Sequence, residues 1–223
     1  MHSGQKSAFP ESSPPQKSGS SRQAATIQTY TETITATAHQ MGVDPTLSLA
    51  VARAESGVGK TKNGEVILDP RAVSSEGAVG LFQLMAATGK EQLREIAPGQ
   101  RYNPLNPSQN IKLGVSYLKE MRDTFSDDTK LHKGLSTTAG ANEQEARRLA
   151  IAAYNAGPGR VARAQELARA QGRDPSHYGN IERHLPQETR QYVKKVENFA
   201  AEFRGKDVTF TNRSTPISTE NVT

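Results

Sequence analysis

Residues 49–59 read L-A-V-A-R-A-E-S-G-V-G, an apolar helical run that meets a single carboxylate, Glu55, and then breaks at glycine. Upstream, Asp44-Pro45 is a strong helix start: the Asp oxygen accepts from free backbone N–H groups and Pro suits the first turn. Leu47, Ala50, Val51 and Ala54 recur at helical spacing, which buries one face and carries the helix to Glu55, with Gly57 as its stop. Glu55 follows Ala54 at the edge of that face. A carboxyl partly withdrawn from water has its charged form disfavoured and stays protonated near neutral pH. The plainer alternative is a solvated Glu in a last helical turn, and this stretch alone leaves both open.

Composition narrows the field. The 223 residues are 34% hydrophobic with a mean hydropathy of −0.67, enough for one helical domain with a core and sizeable polar segments. Lys and Arg number 28 against 23 Asp and Glu, a net charge of +5 that suits an anionic polymer or surface. Aromatics are 5% and Trp is absent, so base-stacking platforms have little to build on and no nucleic-acid partner is expected. Cysteine is absent, which removes disulfides, thiol nucleophiles and Cys-based zinc sites. The five histidines are scattered without an H-E-x-x-H pattern, so neither a metal nor another cofactor is expected. No segment approaches the roughly 18 consecutive apolar residues of a membrane span. No apolar signal core stands near the N-terminus, and an export route is not legible.

Along the chain, residues 1–22 are Ser, Pro, Gln, Lys and Gly with almost no apolar content, and are expected to be disordered. A single domain is expected over residues 23–205, followed by a polar tail over 206–223. Ile27, Tyr30, Ile34, Ala38 and Met41 mark a first amphipathic helix ending at Gly42. Residues 57–77 are rich in Gly and turn pairs around one apolar run, Val66-Ile67-Leu68, which predicts a loop with a brief strand. Thr88 with Glu91 has capping-box spacing, and Asn106-Pro107 opens a long helix with Ile111, Val115, Leu118, Met121 and Phe125 on one face. Residues 126–141 form a polar loop. Asn142 with Glu145 caps another helix, which stops at Gly157-Pro158-Gly159, and a further helix covers residues 160–170. The last begins near Pro186 and buries Tyr192, Val193, Val196, Phe199, Ala200 and Phe203 before Gly205. With neither repeats nor alternating strands and helices, the expected class is mainly α.

Several motifs compete for the chemistry. Residues 54–61, A-E-S-G-V-G-K-T, match a relaxed phosphate-binding loop, but that loop needs a strand before it and a helix after it. Here a helix precedes it, and Asn63-Gly64 interrupts any helix downstream. No G-x-S-x-G elbow supports a serine nucleophile. Residues 77–85, G-A-V-G-L-F-Q-L-M, set the amide of Gln83 among large apolar residues, which makes it a structural tie or a ligand contact. Residues 152–159, A-A-Y-N-A-G-P-G, place Tyr154 and Asn155 at a helix end, as packing or as site.

Five stretches together carry a resemblance. They are E-S at Glu55 and Ser56, G-L-F-Q-L-M at 80–85, N-I-K-L-G-V-S-Y-L at 110–118, A-Y-N-A-G-P-G at 153–159 and E-T-R-Q-Y-V at 188–193. Their order is that of the soluble lytic transglycosylase catalytic domain, and the chain resembles this family over residues 43–204. The resemblance implies a lysozyme-like helical fold, with a loop or short strands after the catalytic helix. It also implies cleavage of the N-acetylmuramic acid to N-acetylglucosamine bond of peptidoglycan without water. Glu55 matches the family's acid/base, while Ser74, Gln83, Met85, Tyr154, Asn155 and Glu188 match positions that line the glycan groove or support the acid. The implied setting is the periplasm or cell envelope, with a monomer acting on glycan strands and an assembly partner of secretion, flagellar or phage type left open. Two departures stand out. Residues 56–69 are longer than the family's usual short passage, and 126–141 read as a second insertion. A non-catalytic wall-binding module and a hydrolytic muramidase are the competing readings; for the latter, Asp69 and Glu76 are the nearest candidates for a second carboxylate.

Overall fold

The computed structural model describes residues 30–61, 64–206 and 209–212. Residues 1–22, expected to be disordered, and Ile27 lie outside the described residues. Helix α1 (Tyr30–Met41) ends at Gly42, whose φ of +67° suits glycine. Helix α2 (Pro45–Ser56) starts as its sequence dictates: Asp44 Oδ1 accepts from the Thr46 N–H at 2.8 Å, with Pro45 in the first turn. Its burial exceeds a single face. Leu47, Ser48, Leu49, Ala50, Val51, Ala52, Ala54 and Ser56 are all buried, because α1, the strands and the last helix close around it. The helix stops at Gly57, but not by a left-handed turn, for Gly57 has φ −70°. Glycine is needed there because a Cβ would collide with the Arg53 carbonyl.

Two strands follow, β1 (Gly57–Lys60) antiparallel to β2 (Val66–Leu68), with a bulge between Gly57 and Gly59. Helices α3 (Ala86–Ile96), α4 (Pro107–Ser126), α5 (Glu143–Ala156) and α6 (Pro158–Ala170) come next. The short α7 (Tyr178–Ile181) and a 3-10 turn (Glu182–His184) then lead into α8 (Gln187–Phe203). Asn106 and Asn142 cap α4 and α5 through the Gln109 and Glu145 N–H groups, as their sequences predict. Thr88 and Glu91 form no box: α3 begins at Ala86 and encloses both. Residues 126–141 remain mostly loop, pinned by buried Thr137, whose hydroxyl donates to the Thr124 carbonyl.

The core is built on α4, whose Ile111, Leu113, Val115, Leu118, Met121 and Phe125 are fully buried against α5, α1 and α3. One segment departs from expectation. Part of the polar tail forms β3 (Phe210–Asn212), parallel to β2 with Phe210 opposite Val66. The physical reason is Phe210 itself: fully buried, it meets the Phe203 ring edge-on at 5.6 Å, and its N–H donates to Thr31 Oγ1 at 2.7 Å.

Candidate active site

Helix α2 delivers Glu55 to the point where packed helix gives way to strand. Its surroundings withdraw water from the carboxyl, and this burial raises its pKa from 4.5 to about 7. Three groups on α8 modulate that effect. The Tyr192 hydroxyl donates to Glu55 Oε1 at 2.6 Å and, like the Lys195 ammonium, lowers the pKa; the Glu188 charge raises it. A carboxyl near pH 7 holds a proton to give and becomes an anion able to take one back. The solvated alternative for Glu55 does not describe this environment.

The loop over residues 69–85 faces this helix end and is held from three sides. The Ser56 hydroxyl lies 2.9 Å from the Leu81 carbonyl as well as 3.1 Å from that of Ala52. From α4, Asn110 Oδ1 accepts from the Phe82 N–H at 2.8 Å while its Nδ2 donates to the Val79 and Pro104 carbonyls. Gly114 lets the Phe82 ring lie directly on α4, where any Cβ would overlap it. From α5, the Tyr154 hydroxyl donates to the Phe82 carbonyl at 2.9 Å. Phe82 is thus gripped at N–H, carbonyl and ring, which explains why three separate sequence motifs occur together.

The remaining candidates divide by where their polar atoms go. Gln83, at φ +44°, donates both amide hydrogens within the loop, to the Ala72 and Gly80 carbonyls at 2.9 Å each. That geometry matches the structural tie. Ser74 Oγ accepts from the Glu76 and Ala78 N–H groups and closes the preceding turn. Asn155 Oδ1 accepts from Thr189 Oγ1 at 2.8 Å, joining α5 to α8. Met85 is 45% exposed at the start of α3. Tyr154 is buried with its ring 5.1 Å from that of Tyr117; burial first, then the charge of Glu55, pushes its pKa up, so the phenol stays protonated.

The two carboxylates nearest in sequence are occupied elsewhere. Asp69 Oδ1 accepts from the Arg71 N–H, and Glu76 is exposed, bonded to the Ser75 hydroxyl at 2.6 Å. The carboxylate whose charge bears on Glu55 is Glu188. Tyr192 and Lys195 were absent from the sequence candidates because a Tyr on an apolar stripe reads as core and a Lys as solvated. The available signal was Tyr192 itself: a buried phenol needs a hydrogen-bond partner. Among the described residues no cluster of three His, Asp or Glu could hold a metal ion.

The family description "Transglycosylase SLT domain" matches residues 32–176, more than half of the chain. The chain belongs to this family. A membrane-bound lytic murein transglycosylase C from Edwardsiella ictaluri is 27% identical over 190 residues, covering 78% of this chain and 46% of that protein. The 70 kDa soluble lytic transglycosylase SLT70 from Escherichia coli superposes with a TM-score of 0.57 at 27% identity, over 78% of this chain and 24% of that one. An inactive Glu-to-Gln variant of the lytic transglycosylase Slt from Pseudomonas aeruginosa superposes with a TM-score of 0.55 at 30% identity, over 75% and 22%. This SLT chain therefore spans between 19% and 46% of the length of the curated relatives it matches. The match ends at residue 176, before α8, so Glu188, Tyr192 and Lys195 of this SLT chain lie beyond the matched segment.

Proposed function

We propose that this chain is a peptidoglycan lytic transglycosylase that acts with one acid/base, Glu55. The observation that carries the proposal is a partly buried carboxyl at the end of α2 that accepts from the Tyr192 hydroxyl at 2.6 Å, where burial raises its pKa to about 7. Protonated Glu55 donates its proton to the glycosidic oxygen as the bond to C1 breaks. The substrate's own 2-acetamido oxygen stabilises C1, so no enzyme nucleophile is required. The sugar's 6-hydroxyl then closes onto C1 and returns its proton to Glu55, giving a 1,6-anhydro ring with no water consumed.

Family membership, the names of the relatives and an inactive Glu-to-Gln variant of one of them support the reading. Gln83, Ser74 and Asn155 then act by shaping the loop and the α5–α8 joint, while Met85 and Glu188 are the exposed candidates for glycan contact. The setting we infer is the bacterial envelope, with peptidoglycan strands as substrate and the protein acting as a monomer. Among the described residues no helix is long and apolar enough to cross a membrane.

Hydrolytic glycosidases use two carboxyls roughly 5 to 9.5 Å apart, and the charge of Glu188 on Glu55 gives the hydrolytic reading its one supporting observation. The product decides between them. Fragments released from purified sacculi should end in 1,6-anhydro-N-acetylmuramic acid, one water lighter by mass spectrometry than hydrolysed fragments. Borohydride-reducible ends that disappear in Glu188→Gln would make the protein a muramidase. Binding to sacculi without release of fragments would make it a wall-binding module.

A further inference from the structure

Glu188, Tyr192, Lys195, Phe199 and Glu202 stand at i, i+4, i+7, i+11 and i+14 on α8 and so share one face. That face descends α2 in reverse order. Tyr192 reaches Glu55, Lys195 Nζ donates to the Ala54 carbonyl at 2.7 Å, and the Phe199 ring lies 3.8 Å beneath the Arg53 guanidinium. Glu202 closes the series, bonding Arg53 at 2.7 Å and Lys60 of β1 at 2.6 Å.

The last carbonyls of a helix have no partner within it and carry its partial negative charge. In α2 the Arg53 carbonyl takes the Gly57 N–H and the Ser56 carbonyl takes the Asp69 N–H at 2.9 Å. The Ala54 carbonyl is reached by the Lys195 ammonium from another helix. Among the described residues Lys195 forms no ion pair with a carboxylate, whereas Arg53 and Lys60 are both committed to Glu202, so its charge is left to act on Glu55 across the helix end.

We propose that Lys195 is a positioning residue for Glu55: it caps the Ala54 carbonyl in the last turn of α2 and so holds a positive charge one residue from the acid. The proposal rests on reading Glu55 as the acid of the reaction. Other groups bearing on Glu55 are Glu188 and Tyr192 from the same helix and Tyr154 from α5, with Tyr117 of α4 behind Tyr154. Only Lys195 among them is a cation. Burial disfavours the anion left when Glu55 gives up its proton, and the nearby Lys195 charge opposes that effect. Lys195 is an exposed residue overall, and its ammonium is placed by the Ala54 bond and by the Phe199 ring, whose centroid lies 6.0 Å away.

The test is a carboxyl carbon NMR titration of Glu55 in the full chain, its resonance identified by loss in Glu55→Gln. Lys195→Met and Lys195→Gln should each raise the Glu55 midpoint by about one unit, and Lys195→Arg should restore it. The pH at which sacculi release declines should move upward with it. Lys195→Gln removes the charge while keeping a polar N–H donor on a side chain one bond shorter, so it decides the matter even if Lys195→Met does not fold. A midpoint unchanged in Lys195→Gln, or a variant that lowers only the melting temperature, overturns the proposal. The titration needs no turnover, so it stays readable even if sacculi are never cleaved.

Discussion

Glu55 shows how one environment sets both chemistry and cost. Its folded pKa of about 7 lies above the ordinary 4.5, so its proton contributes stability that is complete below pH 4.5 and lost as pH rises through 7. Glu55→Gln never ionises and its oxygen can still accept from Tyr192. The variant should therefore match the wild type near pH 4 and exceed it above pH 7 by about 1–3 kcal/mol, read as melting temperatures that coincide in acid and diverge as pH rises. The same variant should lose about two to four orders of magnitude in rate. A wild type that stays as stable as Glu55→Gln at alkaline pH would mean that the carboxyl is solvated after all. Tyr192→Phe keeps the ring and removes the hydroxyl that lowers the acid's pKa, so the upper limb of the pH–rate profile should shift to higher pH. Glu55 was legible in sequence because a helix stop fixed its place. The groups around it were not, because the bond from Tyr192 to Glu55 spans 137 residues and that from Lys195 to the neighbouring Ala54 carbonyl 141, and no local pattern reports such pairs.

At the scale of elements, local chemistry was legible wherever a cap did the work, as at Asp44, Asn106 and Asn142. It failed where tertiary contact decided, as at Thr88, whose box lies inside α3, and Gly57, chosen for its missing Cβ rather than for a positive φ. Gln83 shows the same limit: a lone amide among apolar residues announces that it must be satisfied, not by what. Asn110 has the widest consequences of these polar ties because it joins α4 to two points of the loop, Phe82 and Val79, and to Pro104 just before the helix. Asn110→Ala should leave the buried Phe82 N–H without its partner, while the Val79 carbonyl keeps the Leu84 N–H, at a cost of about 1–3 kcal/mol in denaturant unfolding. Its effect on turnover should appear in KM as well as in rate, since the loop faces Glu55. An unchanged unfolding midpoint would show that water replaces the asparagine at no cost.

Across the whole molecule, the mainly helical class followed from periodicity, whereas the sheet did not, because its third strand lies in a polar stretch whose few apolar residues, Val208, Phe210, Ile217 and Val222, form no strand-length apolar run. Phe210→Ala should cost about 3 kcal/mol, since it opens a cavity between Phe203, Val66 and α1, and calorimetry should show it as a lower melting temperature. A polar tail with no packing role would show no change. The bond from Phe210 to Thr31 spans 179 residues and joins the first described helix to the last described strand. Contacts so distant in sequence carry a large loop-closure entropy and slow folding as a whole. On the ribosome, where the chain emerges from its N-terminus, Glu55 appears well before the helix that supplies Tyr192 and Lys195. A chain interrupted before residue 187 carries the acid without either partner, so synthesis itself withholds the finished site until its closing segment has been made.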